Sequence, residues 1–358
     1  MSITRRELMY TGAGVLTSAL AAQAGVAKAA GLRTIRFGVG LKALNAIVIN
    51  CMIGEALGYN KAEGFTLQPM ALGTNNNVQV ALDGGSIDMG IGVPSTFLPI
   101  LAKGEWRGAK MFYEYTYPYK WDVAVLPGSK IKTYQELKGK KIGVSDFGGT
   151  EYPVTRDVLK ILGIDPDKDV KWVSVGNGTP AGIALQRHDI DALAYYDTGF
   201  GQIEAAGIKL IYLPRPANLP MIGGQFLMAP PKLIEKEKDL VVGLGRSVDK
   251  ASHFLLANPE AGADAFLKML PQAAPRGSSH EAAVKAIVQA ISRRLRIYRP
   301  PYPNTKWGAI HEKEFQTEAR MNKLSIKDFH PLYTNKFIDE INNFDLAKIK
   351  AQAKAYKG

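Results

Sequence analysis

The chain has 358 residues, of which 46% are hydrophobic and 22% are charged, and its formal net charge is +12 at pH 7. This composition excludes a disordered chain, the length suggests two or three domains, and the positive charge comes without a recognition motif that would indicate nucleic acid as a partner. The single cysteine, Cys51, excludes an internal disulfide, and no Cys/His spacing offers a zinc site.

The first 29 residues have the layout of an export signal. Arg5 and Arg6 precede a weakly apolar stretch rich in Ala, Gly and Thr, and Ala27-Lys28-Ala29 offers a small-x-small cleavage site. The paired arginines and the mild hydrophobicity resemble a twin-arginine signal, the route for proteins exported in the folded state. Glycine and polar residues interrupt the stretch, whereas a membrane span needs roughly 20 apolar residues. We therefore predict cleavage after about Ala29 and a periplasmic location.

After the signal, the pattern predicts strands that alternate with helices. "TIRFGVG" indicates a strand, "LKALNAIVINCMIGEALG" a buried helix that ends at Gly58, and "FTLQPMAL" a second strand. A second series begins with "YKWDVAVL" and continues through "KKIGVSD" and "KDVKWVSVG" to "IKLIYLP". From Pro230 onward the sequence is predicted to be mainly helical. The alternation predicts an α/β fold with parallel strands and crossover helices.

Residues 73–95 and 176–198 follow one plan without a gap, at a constant offset of 103 residues. Ile87-Asp88 falls on Ile190-Asp191, and each copy reads as a helix, a tight polar turn and a strand. Ligands of open α/β sheets bind beyond the carboxyl ends of the strands, where helix N-termini offer N–H groups. The repeat therefore predicts two matching lobes that hold a small molecule between their loops.

The loops at the predicted strand ends supply the candidate ligand contacts. They are Lys42, Asn45, Asn75, Asn76, Ser95 and Thr96 in the first lobe, Tyr117 at the hinge, and Gly149, Thr150, Glu151, Tyr152, Asn177, Tyr196 and Asp197 in the second lobe. Any one of the capping residues could equally cap its helix and do nothing more.

Two carboxylates bear on the charge of the ligand. Glu151 and Asp197 both pointing inward would predict an amine or a ring N–H on the ligand, and both pointing away would favour an anion held by Lys42 and backbone amides. Glu151 could also simply complement the dipole of its helix. The tyrosines near the hinge favour a planar aromatic ligand, with rigid hinge packing as the alternative.

The ordered segments "IRFGVG", "EALGYNKAEGF", "VQVALDGGSIDMGIGVPST", "LKGKKIGVSDFGGTEYP" and "ALQRHDIDALAYYDT" resemble the solute-binding proteins of ABC importers. The branch is the NMT1/THI5-like one, which includes nitrate, taurine, alkanesulfonate and thiamine-pyrimidine binders, and the resemblance covers about residues 33–229. It implies a periplasmic binding protein of type II, with two parallel-rich α/β lobes joined by two hinge strands and extra C-terminal helices. The implied divisions are the signal at 1–29, lobe 1 at 30–120, lobe 2 at 121–213, a mainly helical return to lobe 1 at 214–300, and a C-terminal helical extension at 301–358.

The resemblance also implies a function, in which a small molecule is captured between the lobes and delivered to a membrane permease with a cytoplasmic ATPase. The aromatic residues favour an aromatic or heteroaromatic ligand, with a carboxylate or sulfonate among the options. We expect a monomer, no cofactor and no enzymatic activity, because the histidines are scattered and neither a nucleophile elbow nor a phosphate loop is present. The alternatives are an enzyme on the same fold, of the pyrimidine-synthase kind, and a periplasmic sensor module for a membrane receptor.

Overall fold

Ten strands form two five-stranded sheets in the computed structural model, which describes residues 31–117, 121–216, 219 and 221–358. The predicted export signal lies outside the described residues. The same holds for residues 118–120 of the first predicted hinge, near residues 115–122, and for residues 217, 218 and 220 of the second, near residues 210–225. The strands are β1 (Arg33–Val39), β2 (Phe65–Ala71), β3 (Met89–Gly92), β4 (Lys110–Thr116), β5 (Trp121–Val125), β6 (Lys141–Val144), β7 (Lys171–Ser174), β8 (Ala192–Tyr196), β9 (Ile211–Tyr212) and β10 (Gln225–Ala229).

Helices cover the sheets and make up most of the C-terminal third. They are α1 (Ile49–Met52), α2 (Tyr59–Ala62), α3 (Asn75–Asp83), α4 (Pro94–Ala102), α5 (Glu151–Ile161), α6 (Thr179–Gln186), α7 (Asp197–Ala205), α8 (Pro231–Lys236), α9 (Lys238–Ala257), α10 (Pro259–Met269), α11 (His280–Ile291), α12 (Glu312–Met321), α13 (Ile338–Ile341) and α14 (Leu346–Ala355). Short 3-10 helices lie at Ala46–Val48, Gln135–Leu137, Pro271–Ala273, Arg294–Tyr298 and His330–Leu332. Among the described residues, no helix is both long enough and apolar enough to cross a bilayer.

The two sheets have the same arrangement, and each defines a lobe. Lobe 1 has the strand order β2-β1-β3-β10-β4 and lobe 2 the order β7-β6-β8-β5-β9. In each sheet the first three strands are parallel and the fourth is antiparallel to both of its neighbours. The chain passes to lobe 2 between β4 and β5 and returns between β9 and β10, so the predicted pair of α/β lobes joined by two crossings is confirmed.

The internal repeat has a structural meaning. The strands β3 and β8 begin 103 residues apart, as the alignment predicted, and so do the helices α4 and α7 that follow them. In lobe 1, Asp88 Oδ2 accepts a hydrogen bond from Arg36 N at 2.9 Å, and in lobe 2, Asp191 Oδ2 accepts one from Lys141 N at 2.8 Å. Each aspartate therefore ties the turn before its strand to the neighbouring parallel strand.

Three elements differ from the sequence-based expectation, and the first is β4, for which no separate strand was predicted. The helix expected to run to Gly58 is shorter, because the Gly54 carbonyl accepts N–H groups from Tyr59 and Asn60 rather than continuing the four-residue pattern. The strand β10 was not expected as a complete strand, since its five residues are all buried and carry no alternation. A strand that is buried on both faces of its sheet has no solvent-facing row to reveal its period.

The C-terminal helices contact both lobes. Helix α9 packs on α1 and β4 in lobe 1, and α14 packs on α9. Helix α11 instead packs on α7 in lobe 2, so closely that a Cβ at Gly201 would lie 2.4 Å from the Ala290 carbonyl oxygen. The segment 214–300 thus does not contact lobe 1 alone.

Candidate functional site

A cavity of about 170 Å³ lies between the two lobes. Its wall comes from the residues that follow β1, β2, β6 and β7 and from the end of β8, so the carboxyl ends of parallel strands in both sheets meet there. Eight of the candidate residues line it: Lys42, Asn45, Asn75, Gly149, Thr150, Glu151, Asn177 and Tyr196. The repeated strand–loop plan predicted a cavity at these strand ends, but Ser95 and Asp197, which the repeat itself nominated, do not line it.

Six other candidates are not among the residues that line this cavity: Asn76, Ser95, Thr96, Tyr117, Tyr152 and Asp197. Tyr117 directly follows β4, and its hydroxyl accepts a hydrogen bond from Gly308 N at 2.9 Å. The Tyr152 ring packs edge-on against Phe147 and Trp172, with ring centroids 5.2 and 5.1 Å away. Ser95 and Thr96 lie in the first turn of α4, and Asn76 in the first turn of α3.

Several wall residues were not among the candidates. Ser145 and Asp146 directly follow β6, so the same strand-end argument would have found them. Gln225 begins β10, which was not expected as a strand, and Trp121 begins β5. The wall therefore combines amide, hydroxyl and carboxylate groups with two aromatic rings.

Local sequence explains how the lobe 1 loops are held. The Asn45 side chain caps the 3-10 helix that follows it, with Oδ1 accepting from Ile47 N at 3.0 Å. Thr74 caps α3 in the same way through Asn77 N at 3.2 Å. These bonds leave Asn75 at the first position of α3, facing the cavity.

The two lobes contact each other across the cavity. Asn75 Nδ2 donates to Thr150 Oγ1 at 3.1 Å, and Lys42 Nζ lies 3.4 Å from Asp146 Oδ2. The Lys42 side chain is 68% exposed, so its ion pair contributes little to stability. The pair does direct the lysine charge towards a carboxylate of the opposite lobe.

Glu151 brings a buried carboxylate to the wall. It is 3% exposed, and its Oε1 accepts hydrogen bonds from Ser145 N at 2.9 Å and from the Ser145 hydroxyl. Burial, and after it the negative charge of Glu151, raise the pKa of Tyr196 above its ordinary value. The Tyr196 hydroxyl therefore stays neutral and donates to Asn177 Oδ1 at 3.1 Å.

Behind the cavity, Asp197 takes part in a buried ion pair with Arg294. The guanidinium donates to both carboxylate oxygens, from Nε and Nη2, at 2.6 Å each. Its Nη1 donates to the Ile47 carbonyl and to Gln225 Oε1, at 3.1 Å each. Asp197 is thus turned towards Arg294, and the arginine joins the start of α7 in lobe 2 to two wall residues of lobe 1.

The charge of the cavity follows from these contacts. Its charged lining residues are Lys42, Asp146 and Glu151. Lysine and aspartate offset each other, and the Glu151 carboxylate adds a hydrogen-bond acceptor to the wall. The wall thus offers carboxylate and amide oxygens that can accept N–H groups of a ligand. Among the described residues, no cluster of three His, Cys, Asp or Glu side chains could hold a metal ion.

The NMT1/THI5-like family model matches residues 45–262. A solved protein of Bordetella bronchiseptica is similar to this chain, with a TM-score of 0.64 and 23% identity over 86% of this chain and 96% of that one. The periplasmic aliphatic sulphonate binding protein SsuA of Escherichia coli has a TM-score of 0.60 and 18% identity, over 81% and 91%. The alkanesulfonate-binding protein SsuA of Xanthomonas axonopodis pv. citri, bound to MOPS, has a TM-score of 0.58 and 17% identity, over 87% and 99%. Among curated proteins, none matches this sequence.

Proposed function

The chain belongs to the NMT1/THI5-like family, and on that premise we propose that it is the periplasmic solute-binding component of an ABC importer. Its fold is the periplasmic binding protein fold of its structural neighbours. The observation that carries the proposal is the cavity whose wall comes from both lobes, bridged by Asn75 with Thr150 and by Lys42 with Asp146. A ligand held there would stabilise the closed form, in which the two lobes contact each other. In this mechanism the closed form is the one that the permease recognises.

The proposed ligand is a small aromatic or heteroaromatic molecule with N–H donors. The cavity volume of about 170 Å³ is close to the roughly 150 Å³ of an engineered protein cavity that admits benzene, so a single ring is the expected size. Trp121 and Tyr196 supply flat apolar surface, and asparagines from both lobes supply polar contacts. Glu151 favours an amine or ring N–H over a carboxylate or sulfonate, even though two of the structural neighbours are sulfonate binders by name.

Calorimetric titration of the mature chain tests the ligand class. The matched ligands are 4-aminopyrimidine, benzylamine, benzoate and benzenesulfonate, each on one ring. We expect at least one of the two amines to bind. A free concentration of that amine a hundredfold above its Kd should raise the free energy of unfolding by ~2.7 kcal/mol. Tighter binding of benzenesulfonate than of either amine would contradict the proposed ligand class.

The variant Glu151→Gln tests the role of the carboxylate. Glutamine keeps an oxygen that can accept from Ser145, so the local fold should persist while the charge is lost. Because hydrogen bonds to charged groups contribute about 1.5–3 kcal/mol, amine affinity should fall roughly 10- to 100-fold. Glu281→Gln is the control, since Glu281 is exposed on α11 and pairs only with Lys285 among the described residues. Equal affinities in both variants would remove Glu151 from the binding site.

Export is a separate part of the proposal, supported by the signal layout of the first 29 residues. Expression of the full chain followed by cell fractionation should place the mature protein in the periplasm, with a new N-terminus after about Ala29. Replacing Arg5 and Arg6 by lysine should retain the precursor in the cytoplasm if the twin-arginine route is used. Unchanged export of the double variant would point to another route.

A further inference from the structure

A second concave site lies in the C-terminal third of the chain and shares no lining residue with the cavity between the lobes. We call it the basic groove. Its volume is about 540 Å³, and its principal side chains are His253, Arg299, Tyr302, Trp307, Lys350 and Lys354. They come from the last turns of α9, from the segment after the 3-10 helix that ends at Tyr298, and from α14.

The charge of the basic groove is entirely positive. Arg299, Lys350 and Lys354 line it, and no lining residue is an aspartate or a glutamate. Within the described part of the chain, none of these three cations has an ion pair within 4.0 Å. Lys250 of α9 shows the contrast, because its ammonium lies 2.8 Å from the carboxylate of Glu63, which follows α2.

The floor of the groove is aromatic and largely buried. The His253 side chain is 13% exposed, and its ring centroid lies 3.9 Å from that of Trp307. Burial first, and then the positive charges of Lys350 and Arg299, lower the pKa of His253 to about 4. The imidazole is therefore neutral at physiological pH and adds no positive charge to the groove.

We propose that the basic groove binds a small polyanion through its phosphate or carboxylate groups. Arg299 offers a planar fork that matches either oxyanion with two hydrogen bonds, and Lys350 and Lys354 add point charges from α14. A polyanion would relieve the repulsion among three neighbouring cations, which a single-charged or neutral ligand does less well. The volume is about three times that of the cavity between the lobes, so a larger ligand than the proposed one-ring solute fits.

Titration of the mature chain with inorganic pyrophosphate and with citrate tests the proposal, by calorimetry and by tryptophan fluorescence. We expect saturable one-to-one binding of at least one of the two anions, weakened when the salt concentration rises from about 0.05 to 0.3 M because the charges are partly exposed. Trp307→Phe should remove the fluorescence change, whereas Trp121→Phe, in the other cavity, should leave it in place. Which of the two anions binds distinguishes a phosphate from a carboxylate ligand.

A charge-matched pair of variants separates a site from general surface attraction. Lys350→Gln with Lys354→Gln should weaken binding at least tenfold, which corresponds to about 1.4 kcal/mol. Lys348→Gln with Lys357→Gln removes the same charge from exposed positions in and just after α14 that do not line the groove, and should change affinity less than about twofold. Equal losses in the two double variants would overturn the proposal, as would the absence of saturable binding of either anion. Binding of a hexaglutamate peptide, with neither small anion bound, would also overturn it and assign the groove to a protein partner.

Discussion

Replacing Arg294 by methionine is expected to destabilise the protein strongly. The arginine is fully buried and makes four hydrogen bonds, two of them to Asp197 and the others to Ile47 and Gln225. Methionine is of similar length and fills much of the space, but it leaves the Asp197 carboxylate buried without its countercharge. Removal of one partner of a buried ion pair typically costs about 3–5 kcal/mol, which is a large part of the usual 5–15 kcal/mol of folding free energy.

Urea denaturation of the ligand-free protein measures this effect, with the Asp197→Asn variant and the double variant completing a cycle. Because the double variant buries no charge, it should be more stable than Arg294→Met alone, although the lost hydrogen bonds to Ile47 and Gln225 remain. The reasoning is refuted if Arg294→Met loses less than about 1 kcal/mol, or if the two single losses simply add in the double variant.

Three further predictions concern the buried groups. Burial raises the pKa of Glu314 to about 7. The folded state therefore binds this proton more tightly than the unfolded state does. The contribution of protonated Glu314 to the free energy of unfolding is complete below about pH 4.5 and is lost as the pH rises to about 7. Glu314→Gln should therefore flatten the dependence of Tm on pH between about 4.5 and 7, and an unchanged profile would contradict the prediction. Gly201→Ala should cost about 1–3 kcal/mol in chemical denaturation, because the new methyl meets the backbone of Ala290 rather than a movable side chain, and a neutral effect would mean that α7 and α11 separate easily. Burial raises the pKa of Cys51, which is 2% exposed, so a thiol reagent should label it only at the rate of unfolding; rapid labelling of the native protein would show that this part of lobe 1 opens locally.

The fold was predictable because its signals are local and repeated. The offset of 103 residues placed two strands and the helices on either side of them correctly, since both copies use the same aspartate bond to the neighbouring strand. The same rule accounts for the eight candidates that line the cavity, because the loops after β1, β2, β6 and β7 begin where parallel strands end. Strand β10 was not predicted, because its five residues are all buried and show no alternation of polar and apolar side chains.

The orientation of individual side chains was not predictable from the same signals. Asp197 and Glu151 both stand in the first turn of a helix that follows a strand, and the sequence treats them alike. What separates them is Arg294, which lies 97 positions after Asp197 and draws that carboxylate away from the cavity wall. A long-range charge partner of this kind leaves no periodic pattern near the residue that it orients.

The hydrogen bonds of Arg294 also determine which parts of the molecule can move as one rigid body. If the lobes separate, the arginine must give up either Asp197 or its two neutral acceptors, Ile47 and Gln225. Breaking the ion pair with Asp197 would leave two unpaired charges in an interior of low dielectric constant. Breaking the hydrogen bonds to the neutral acceptors costs much less free energy, because water can replace the arginine there. Helix α11, which is packed on α7, and the Arg294 guanidinium should therefore stay with lobe 2, and the 3-10 helix that carries Arg294 links them to lobe 1 because it also packs on β4 and α9. The mobile half would then include residues that the chain order assigns to the return towards lobe 1.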